Sequence, residues 1–227
     1  MVGSNFQLFG AAHILILAAV IVLGAALALV QRRLLRQNKW LRIGLGIFLL
    51  ADGVAWYLYL AAIGQQIFPW QLPLELCDVS FYLVAFVLLT ANEGLFDVAY
   101  YWALAGSTMA LLTPNLWERF PSVSTVQFFI AHGLVVSATL YLVWSGLMRP
   151  RRGSVLRAMI AVNLLAIFDG IFDAVFKTDY MYLRAKPENV SLLSVLGPWP
   201  WYVLAAEPVA LALFLLLYWP FWRRRRD

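Results

Sequence analysis

"AAHILILAAVIVLGAALALVQRRLLRQNKWLR", residues 11–42, decides the fold class of this chain. It starts with a long apolar run and ends in a basic group between Arg32 and Arg42. About 20 apolar residues in a helix span the hydrocarbon core of a bilayer, and basic residues collect on the cytoplasmic side of such spans. The stretch therefore predicts a transmembrane helix that starts outside and ends at the cytoplasmic surface.

The composition of the whole chain indicates the same class. Of the 227 residues, 63% are hydrophobic, 13% are charged and ten are Trp. A soluble domain could not cover so much apolar surface with so few charges. The net charge of +5 does not indicate a nucleic-acid partner, because the basic residues cluster at the ends of the apolar runs, as membrane topology requires.

The apolar runs predict an all-α, polytopic membrane protein with seven transmembrane helices in a single domain, residues 1–227. The predicted helices cover residues 9–30, 43–63, 74–91, 95–113, 125–147, 156–176 and 202–222. "TPNLWERFPS" and "GPWPW" are rich in Pro and Trp, which is typical of loops at the membrane interface. The aromatic clusters "WYLYL" and "YYW" are expected to face lipid or to pack between helices.

The distribution of basic residues predicts the orientation. If the N-terminus lies outside, all seventeen Lys and Arg residues fall on the cytoplasmic side except Arg119, Lys177, Arg184 and Lys186. This bias predicts an external N-terminus and a cytoplasmic C-terminus. The terminal "RRRR" then needs no role beyond contact with anionic headgroups.

Polar residues converge in the outer half of the predicted bundle. A charge inside lipid costs about 2.5 kcal/mol or more, so each intramembrane charge marks a candidate functional site. Glu75, Cys77 and Asp78 start the third helix, and His132 lies about 10 Å deep in the fifth. His13, Asp169, Asp173 and Glu207 are expected at similar depth, whereas Asp52 and Asp97 are expected nearer the middle or the inner side. This one-sided arrangement predicts a polar cavity open to the outer leaflet.

Cys77 is the only cysteine, so an internal disulfide is excluded, and the thiol is either packed or reactive. A thiol at a helix N-terminus beside an imidazole can act as a nucleophile, with a carboxylate such as Asp78, Asp173 or Glu207 holding the ring. Cys77, His132 and His13 could instead ligate zinc, although no metal-binding spacing is present. The intramembrane carboxylates could also form the proton relay of a transporter.

Four segments resemble a known family. They are "LPLELCDVS", "YYWALAGSTMALLTPNL", "FPSVSTVQFFIAHGLVV" and "TDYMYLRAKPENVSLLSVLGPWPWYVL". Together they are similar to the YwaF-like bacterial integral membrane proteins, which are related to the animal transmembrane protein 164 group. The similarity runs from about residue 6 to residue 222.

The resemblance implies a function. The animal relatives are reported as acyltransferases that remodel phospholipids with a cysteine and a histidine, which fall on Cys77 and His132 here. It implies a Cys77 thioester, with phospholipid and lysophospholipid as partners. Together with the residue patterns above, we expect Asp78 to be an assisting acid, the site to face the extracytoplasmic leaflet of the cell membrane, and neither cofactor nor metal to take part. The residues expected to bind substrate are Glu75, His13, Asn115, Asp173, Tyr180 and Glu207. The alternatives are a transporter using the same cavity and a non-catalytic lipid-binding protein.

Overall fold

A computed structural model describes residues 6–35, 38–116, 118–187 and 191–222, and within these ranges the chain is helical and has no strand. The helices are α1 (Ala11–Val30), α2 (Trp40–Ala62), α3 (Leu76–Thr90), α4 (Glu93–Leu112), α5 (Val123–Trp144), α6 (Ser154–Phe176) and α7 (Trp201–Trp222). A π-helical turn, Gln31–Leu35, extends α1, and a second, Trp102–Ser107, lies inside α4. The predicted all-α class is confirmed.

Each predicted apolar run is a helix whose ends differ by a few residues from the expected ones. Six of these helices are long and apolar enough to cross a membrane, so the chain is a multi-pass membrane protein. The exception is α3, an apolar helix of 15 residues. At 1.5 Å per residue it is about 22 Å long, which is shorter than a hydrocarbon core of about 30 Å.

Local sequence explains where several helices begin. Asn92 caps α4 by accepting a hydrogen bond from the Leu95 N–H at 3.0 Å. Ser122 and Thr125 form a reciprocal capping box at the start of α5. Such caps satisfy backbone N–H groups that have no partner inside the helix. Gly153, with φ 74°, makes the left-handed turn that leads into α6.

Successive helices alternate in direction, so the end of one helix and the start of the next lie at the same end of the bundle. The two ends differ in the charged residues that they carry. We call one end the basic end, and its described Lys and Arg residues are Arg32, Arg33, Lys39, Arg42, Arg149, Arg151, Arg152 and Arg157. We call the other the acidic end, and its members are Glu75, Asp78, Asp169, Asp173 and Asp179. The long connections, whose described residues are 63–75, 113–116, 118–122, 177–187 and 191–200, all lie at the acidic end.

Ion pairs and caps hold the basic end together. The fully buried Asp97 of α4 accepts hydrogen bonds from the Arg151 backbone N–H at 2.8 Å and from Arg157 Nη2 at 2.8 Å, and it pairs with Arg151 Nη2 at 2.6 Å. The Arg42 guanidinium donates to the Leu88 carbonyl near the end of α3, where a cation also offsets the helix dipole. Asp97 is therefore paired at the basic end.

The core is formed by α3, α4 and α5, whose facing side chains are buried, whereas large apolar side chains of α6 and α7 remain exposed. The "YYW" cluster, residues 100–102, is fully packed between helices, as expected. Small residues allow close helix contacts. A methyl group on Gly24 of α1 would lie 3.0 Å from Leu140 Cβ and 3.1 Å from the Ser137 carbonyl oxygen of α5. Packing of this kind, rather than a hydrophobic driving force, joins helices in lipid.

Candidate functional site at the acidic end

Cys77 lies in the first turn of α3. This helix begins directly after Glu75, whose backbone is extended (φ −60°, ψ 146°). The side chain of Glu75 does not cap the helix, and instead its Oε2 accepts a hydrogen bond from the Met181 N–H at 3.0 Å. The thiol is half-buried, and its closest charged neighbours are Asp78 and Glu75. The carboxylate of Asp78 faces the backbone N–H of Glu75, a favourable position for an acid at a helix N-terminus.

Burial, together with the neighbouring Asp78 charge, raises the pKa of Glu75 from its ordinary value of 4.5 to about 8, although the Met181 N–H acts in the opposite direction. A carboxyl group with this pKa is mostly protonated at neutral pH. One of the two acids beside Cys77 is therefore neutral. This lessens the electrostatic obstacle to forming a thiolate there.

The connection after α6 folds back over this region through the buried Asp173. Its carboxylate accepts a hydrogen bond from the Thr178 hydroxyl at 2.6 Å, and both of its oxygens lie 3.0 Å from the Tyr180 N–H. Next to it, Asp179 accepts hydrogen bonds from the backbone N–H groups of Arg184 and Ala185 at 2.7 and 2.9 Å. These bonds fix the path of the chain as it leaves the membrane helix.

Tyr180 joins this connection to the segment that precedes α3. Its hydroxyl donates to the Pro69 carbonyl oxygen at 2.6 Å and accepts from the Leu72 N–H at 2.9 Å. It is also close enough to Glu75 and Asp78 to feel their charges. Tyr180 therefore positions the segment that carries Glu75 and Cys77.

Tyr182, in the same connection, also lies near Glu75 and Cys77. Its hydroxyl accepts a hydrogen bond from Asn115 Nδ2 at 3.3 Å and lies within electrostatic range of Cys77 and Glu75. Its backbone carbonyl accepts from the Tyr202 hydroxyl at 2.5 Å. Three connections and the start of α7 therefore meet around the thiol.

The backbone here is strained. Met181 and Tyr182 both have φ of 54°, a left-handed conformation that costs a residue with a side chain roughly 1–2 kcal/mol. The bonds from Met181 to Glu75 and from Tyr202 to Tyr182 hold them in it. Strain of this kind clusters at functional sites.

Like Tyr182, two further tyrosines that were not among the predicted site residues belong here. Tyr57 of α2 donates to the Gln71 carbonyl oxygen at 3.0 Å, and both Tyr57 and Tyr82 lie close enough to Asp78 to feel its charge. Tyr57 belongs to the "WYLYL" cluster, which we expected to face lipid or pack between helices. The Tyr57 hydroxyl in addition bonds at the acidic end, and the expectation for its ring stays a prediction. Its position little more than one turn before the end of α2 was the available signal.

His132, in the third turn of α5, is held by its own helix. Its Nδ1 lies 2.8 Å from the Phe128 carbonyl oxygen, and since a carbonyl only accepts, Nδ1 carries the proton. Its Nε2 is buried and has no hydrogen-bond partner among the described residues. The Phe128 ring stacks on the imidazole with 4.1 Å between centroids. The Phe128 carbonyl, rather than a carboxylate, orients this ring, and a catalytic role for Asp78 stays a prediction.

Three further predicted residues have defined surroundings. The buried His13 bonds through Nε2 to the Leu111 carbonyl oxygen at 2.7 Å and through Nδ1 to the Phe9 N–H at 2.9 Å, so both nitrogens serve packing of α1. Glu207 of α7 accepts from Asn163 of α6 at 3.0 Å, away from the thiol group. Asp52 accepts from Gln127 of α5 at 3.2 Å. Substrate binding by His13 and Glu207 stays a prediction.

Asp169 differs from all the other carboxylates of this end. It is fully buried, one turn before Asp173, and neither of its oxygens has a hydrogen-bond partner among the described residues. Its charge also reaches Glu75. Within the described ranges no group of three His, Cys, Asp or Glu side chains is arranged to hold a metal ion.

The acidic end thus brings together a thiol, carboxyl groups and tyrosine hydroxyls. His132, whose Nε2 has no hydrogen-bond partner among the described residues, lies on α5, a helix that packs against α3. No match to the chain was found among curated proteins or solved structures. The model of the TMEM164 family, in contrast, matches residues 8–218, nearly the whole chain and every element of the site. The chain therefore belongs to the TMEM164 family.

Proposed function

We propose that this protein is a membrane acyltransferase that moves fatty acyl chains between phospholipids and lysophospholipids through a thioester on Cys77. The observation that carries the proposal is the state of His132, whose Nε2 is unprotonated, buried and without a hydrogen-bond partner among the described residues. A general base needs such a nitrogen. The resemblance to relatives that remodel phospholipids also supports the proposed acyl transfer.

The proposed reaction has two steps that conserve atoms and charge. In the first, His132 Nε2 takes the Cys77 proton, the thiolate attacks the ester carbonyl carbon of a phospholipid, and the ester C–O bond breaks. The imidazolium returns its proton to the departing lysophospholipid hydroxyl. In the second, His132 deprotonates the hydroxyl of an acceptor lysophospholipid, and this oxygen attacks the thioester carbonyl carbon. The C–S bond breaks, and the imidazolium returns its proton to the released Cys77 thiolate.

Other groups of the site fit supporting roles. The Tyr182 hydroxyl accepts from Asn115 and so keeps its own proton for the negative charge that develops on the ester oxygen. The N–H of Asp78, which faces the thiol, offers a second donor. No hydrogen bond joins Cys77 and His132 in this structure. Catalytic contacts often form only when substrate binds, and α3 and α5 pack directly against each other.

We also propose the membrane arrangement that this chemistry requires. The short helix α3 is the seventh span, and its start lies below the membrane surface beneath the connections of the acidic end. The acidic end faces the extracytoplasmic leaflet of the cell membrane and the basic end faces the cytoplasm, in keeping with the bias of Lys and Arg. A lipid ester in the outer leaflet then lies at the depth of Cys77.

Asp169 favours a second candidate function, a proton-coupled carrier of a small solute or a lipid. Such a carrier needs a buried carboxyl group that can bind and release a proton, and Asp169 has no fixed partner among the described residues. A carrier depends on Asp169 and tolerates Cys77→Ser, whereas an acyltransferase requires the thiol.

Lipid mass spectrometry tests the proposal. The full chain is reconstituted in phosphatidylcholine vesicles with isotopically labelled lysophosphatidylcholine, and the labelled diacyl product is measured for the wild type and for Cys77→Ala. We expect product only from the wild type, with unchanged helical content in the variant. Equal product from both proteins would reject the proposal. Absence of product from both, with solute flux that Asp169→Asn abolishes, would establish the carrier instead.

A further inference from the structure

A cavity of about 400 Å³ opens at the basic end, away from the Cys77 site. Arg32 and Arg149 lie at this cavity together with the partly exposed Trp144, and Tyr100 and Phe221 form its inner wall. The two arginines come from different elements, the π-helical turn after α1 and the connection after α5. Neither has a carboxylate of the described residues within ion-pair distance.

The turn that carries Arg32 is held in place. The neighbouring Gln31 is buried, accepts a hydrogen bond from the Tyr141 hydroxyl of α5 at 2.8 Å and donates to the Asn38 carbonyl oxygen at 3.1 Å. These contacts fix the π-helical turn against α5, the helix that leads to Arg149. The two guanidinium groups are therefore presented to one cavity by a defined backbone.

A second cavity of about 410 Å³ adjoins the first, since Leu104 and Leu140 line both. Its walls are aliphatic side chains of α1, α4, α5 and α7, and Thr108 is the one polar residue among the described ones that line it. From Leu17, at the far part of this cavity, to Arg32 is about 22 Å along the helix at 1.5 Å per residue. A basic mouth thus leads into a long apolar groove.

We propose that the two adjoining cavities form one groove that binds an anionic phospholipid, with the phosphate between Arg32 and Arg149 and one acyl chain along Leu104 and Leu140. Guanidinium groups match phosphate oxygens through paired hydrogen bonds. The second cavity is lined by α1, α4, α5 and α7, all long and apolar enough to cross a membrane, so an acyl chain could enter it from the surrounding lipid. The site lies at the opposite end of the bundle from Cys77, and it does not depend on the proposed acyl transfer.

The chain offers a matched control for the charge. Arg33 and Arg152 are the exposed neighbours of the two mouth arginines along the elements that carry them, but they do not line either cavity. General attraction of a basic surface to anionic lipid would depend on all four residues alike. A specific binding site would depend on Arg32 and Arg149 but not on Arg33 and Arg152.

Native mass spectrometry of the full chain in detergent measures the Kd of the first bound lipid, with phosphatidylglycerol and phosphatidylcholine as probes. We expect phosphatidylglycerol to bind more tightly. The double variant Arg32→Gln/Arg149→Gln should weaken its binding by about 30-fold, whereas Arg33→Gln/Arg152→Gln should change it little. Thermal unfolding of each variant establishes that it is folded.

Two further measurements separate the contribution of the lipid headgroup to binding from that of the acyl chain. Thr108→Phe fills the groove, so it should weaken the binding of long-chain phosphatidylglycerol but not of a short-chain form. Glycerol phosphate, which has no acyl chain, should not displace the bound lipid. Equal affinity for the two lipids, equal effects of the two double variants, or displacement by glycerol phosphate would overturn the proposal.

Discussion

The two ring nitrogens of His132 have different surroundings, and the difference determines what each can do. Nδ1 is committed to the Phe128 carbonyl oxygen at 2.8 Å, while Nε2 is buried without a hydrogen-bond partner among the described residues. The sequence placed this histidine at the depth of Cys77 but could not show which nitrogen is free. That depends on a rotamer set by the surrounding packing.

This geometry allows a selective test at His132. In His132→Asn the side-chain amide can still donate to the Phe128 carbonyl oxygen, but the basic nitrogen is lost. Because general base catalysis contributes about 10²- to 10⁴-fold, we expect acyl transfer to fall by about that factor while the melting temperature changes little. Lipid mass spectrometry and thermal unfolding measure the two effects. Near wild-type turnover in the folded variant would remove the histidine from the mechanism.

Glu75 gives the site a pH dependence whose sign follows from its raised pKa. Between about pH 4.5 and about pH 8 the unfolded chain has lost this proton while the folded protein retains it. The contribution of Glu75 to folding stability is therefore full below about pH 4.5 and is lost as the pH rises through about 8.

Glu75→Gln should flatten this dependence, because the amide oxygen can still accept from the Met181 N–H and does not ionise. Melting temperatures across this pH range measure the effect, with Glu93→Gln as a control at an exposed carboxylate of the basic end. If the wild type and Glu75→Gln lose stability in parallel as the pH rises, Glu75 is not the titrating group.

At the scale of elements, the connection after α6 organises the site more than any single helix does. It supplies the Met181 N–H to Glu75, the Tyr182 hydroxyl near Cys77 and the Tyr180 hydroxyl to Pro69 and Leu72. The helices were predictable because apolar runs of membrane length have few alternatives to a helix. These loop contacts join residues more than 100 positions apart and have no periodic signal in the sequence.

Tyr180→Phe tests the role of this connection. The change removes the hydrogen bonds to Pro69 and Leu72 while the ring can stay packed, so we expect a loss of about 1–2 kcal/mol in unfolding free energy. Acyl transfer should also fall, because the segment before α3 is no longer held. Tyr59→Phe on α2 is the control, since no described hydrogen bond involves that hydroxyl. Equal stability and activity in both variants would contradict the role given to Tyr180.

At the scale of the molecule, the separation of an acidic end from a basic end was predictable from charge counts and helix direction. Convergence of Glu75, Cys77, Asp78 and Asp173 at one end follows from the same reasoning. Asp169 without a partner, the strained turn at Met181 and the free nitrogen of His132 did not follow from it. They depend on how α3, α5 and α6 pack, which the period of an apolar helix leaves open.

The orientation of the two ends is testable with single cysteines in a Cys77→Ala background. Gln65 and Arg152 are exposed at the acidic and basic ends. In intact cells an impermeant maleimide should label Gln65→Cys and leave Arg152→Cys unlabelled until the membrane is opened. The reverse pattern would turn the proposed site towards the cytoplasm.

The mass of the intact protein during turnover is the most direct test of a thioester on Cys77. After rapid mixing with phosphatidylcholine, we expect a fraction of chains to be heavier by one acyl group, with the modification on the peptide that holds Cys77. Neutral hydroxylamine should remove it, as expected for a thioester, and Cys77→Ser should neither acquire such a hydroxylamine-sensitive adduct nor turn over. Acyl transfer by Cys77→Ser at near the wild-type rate would contradict the thioester mechanism.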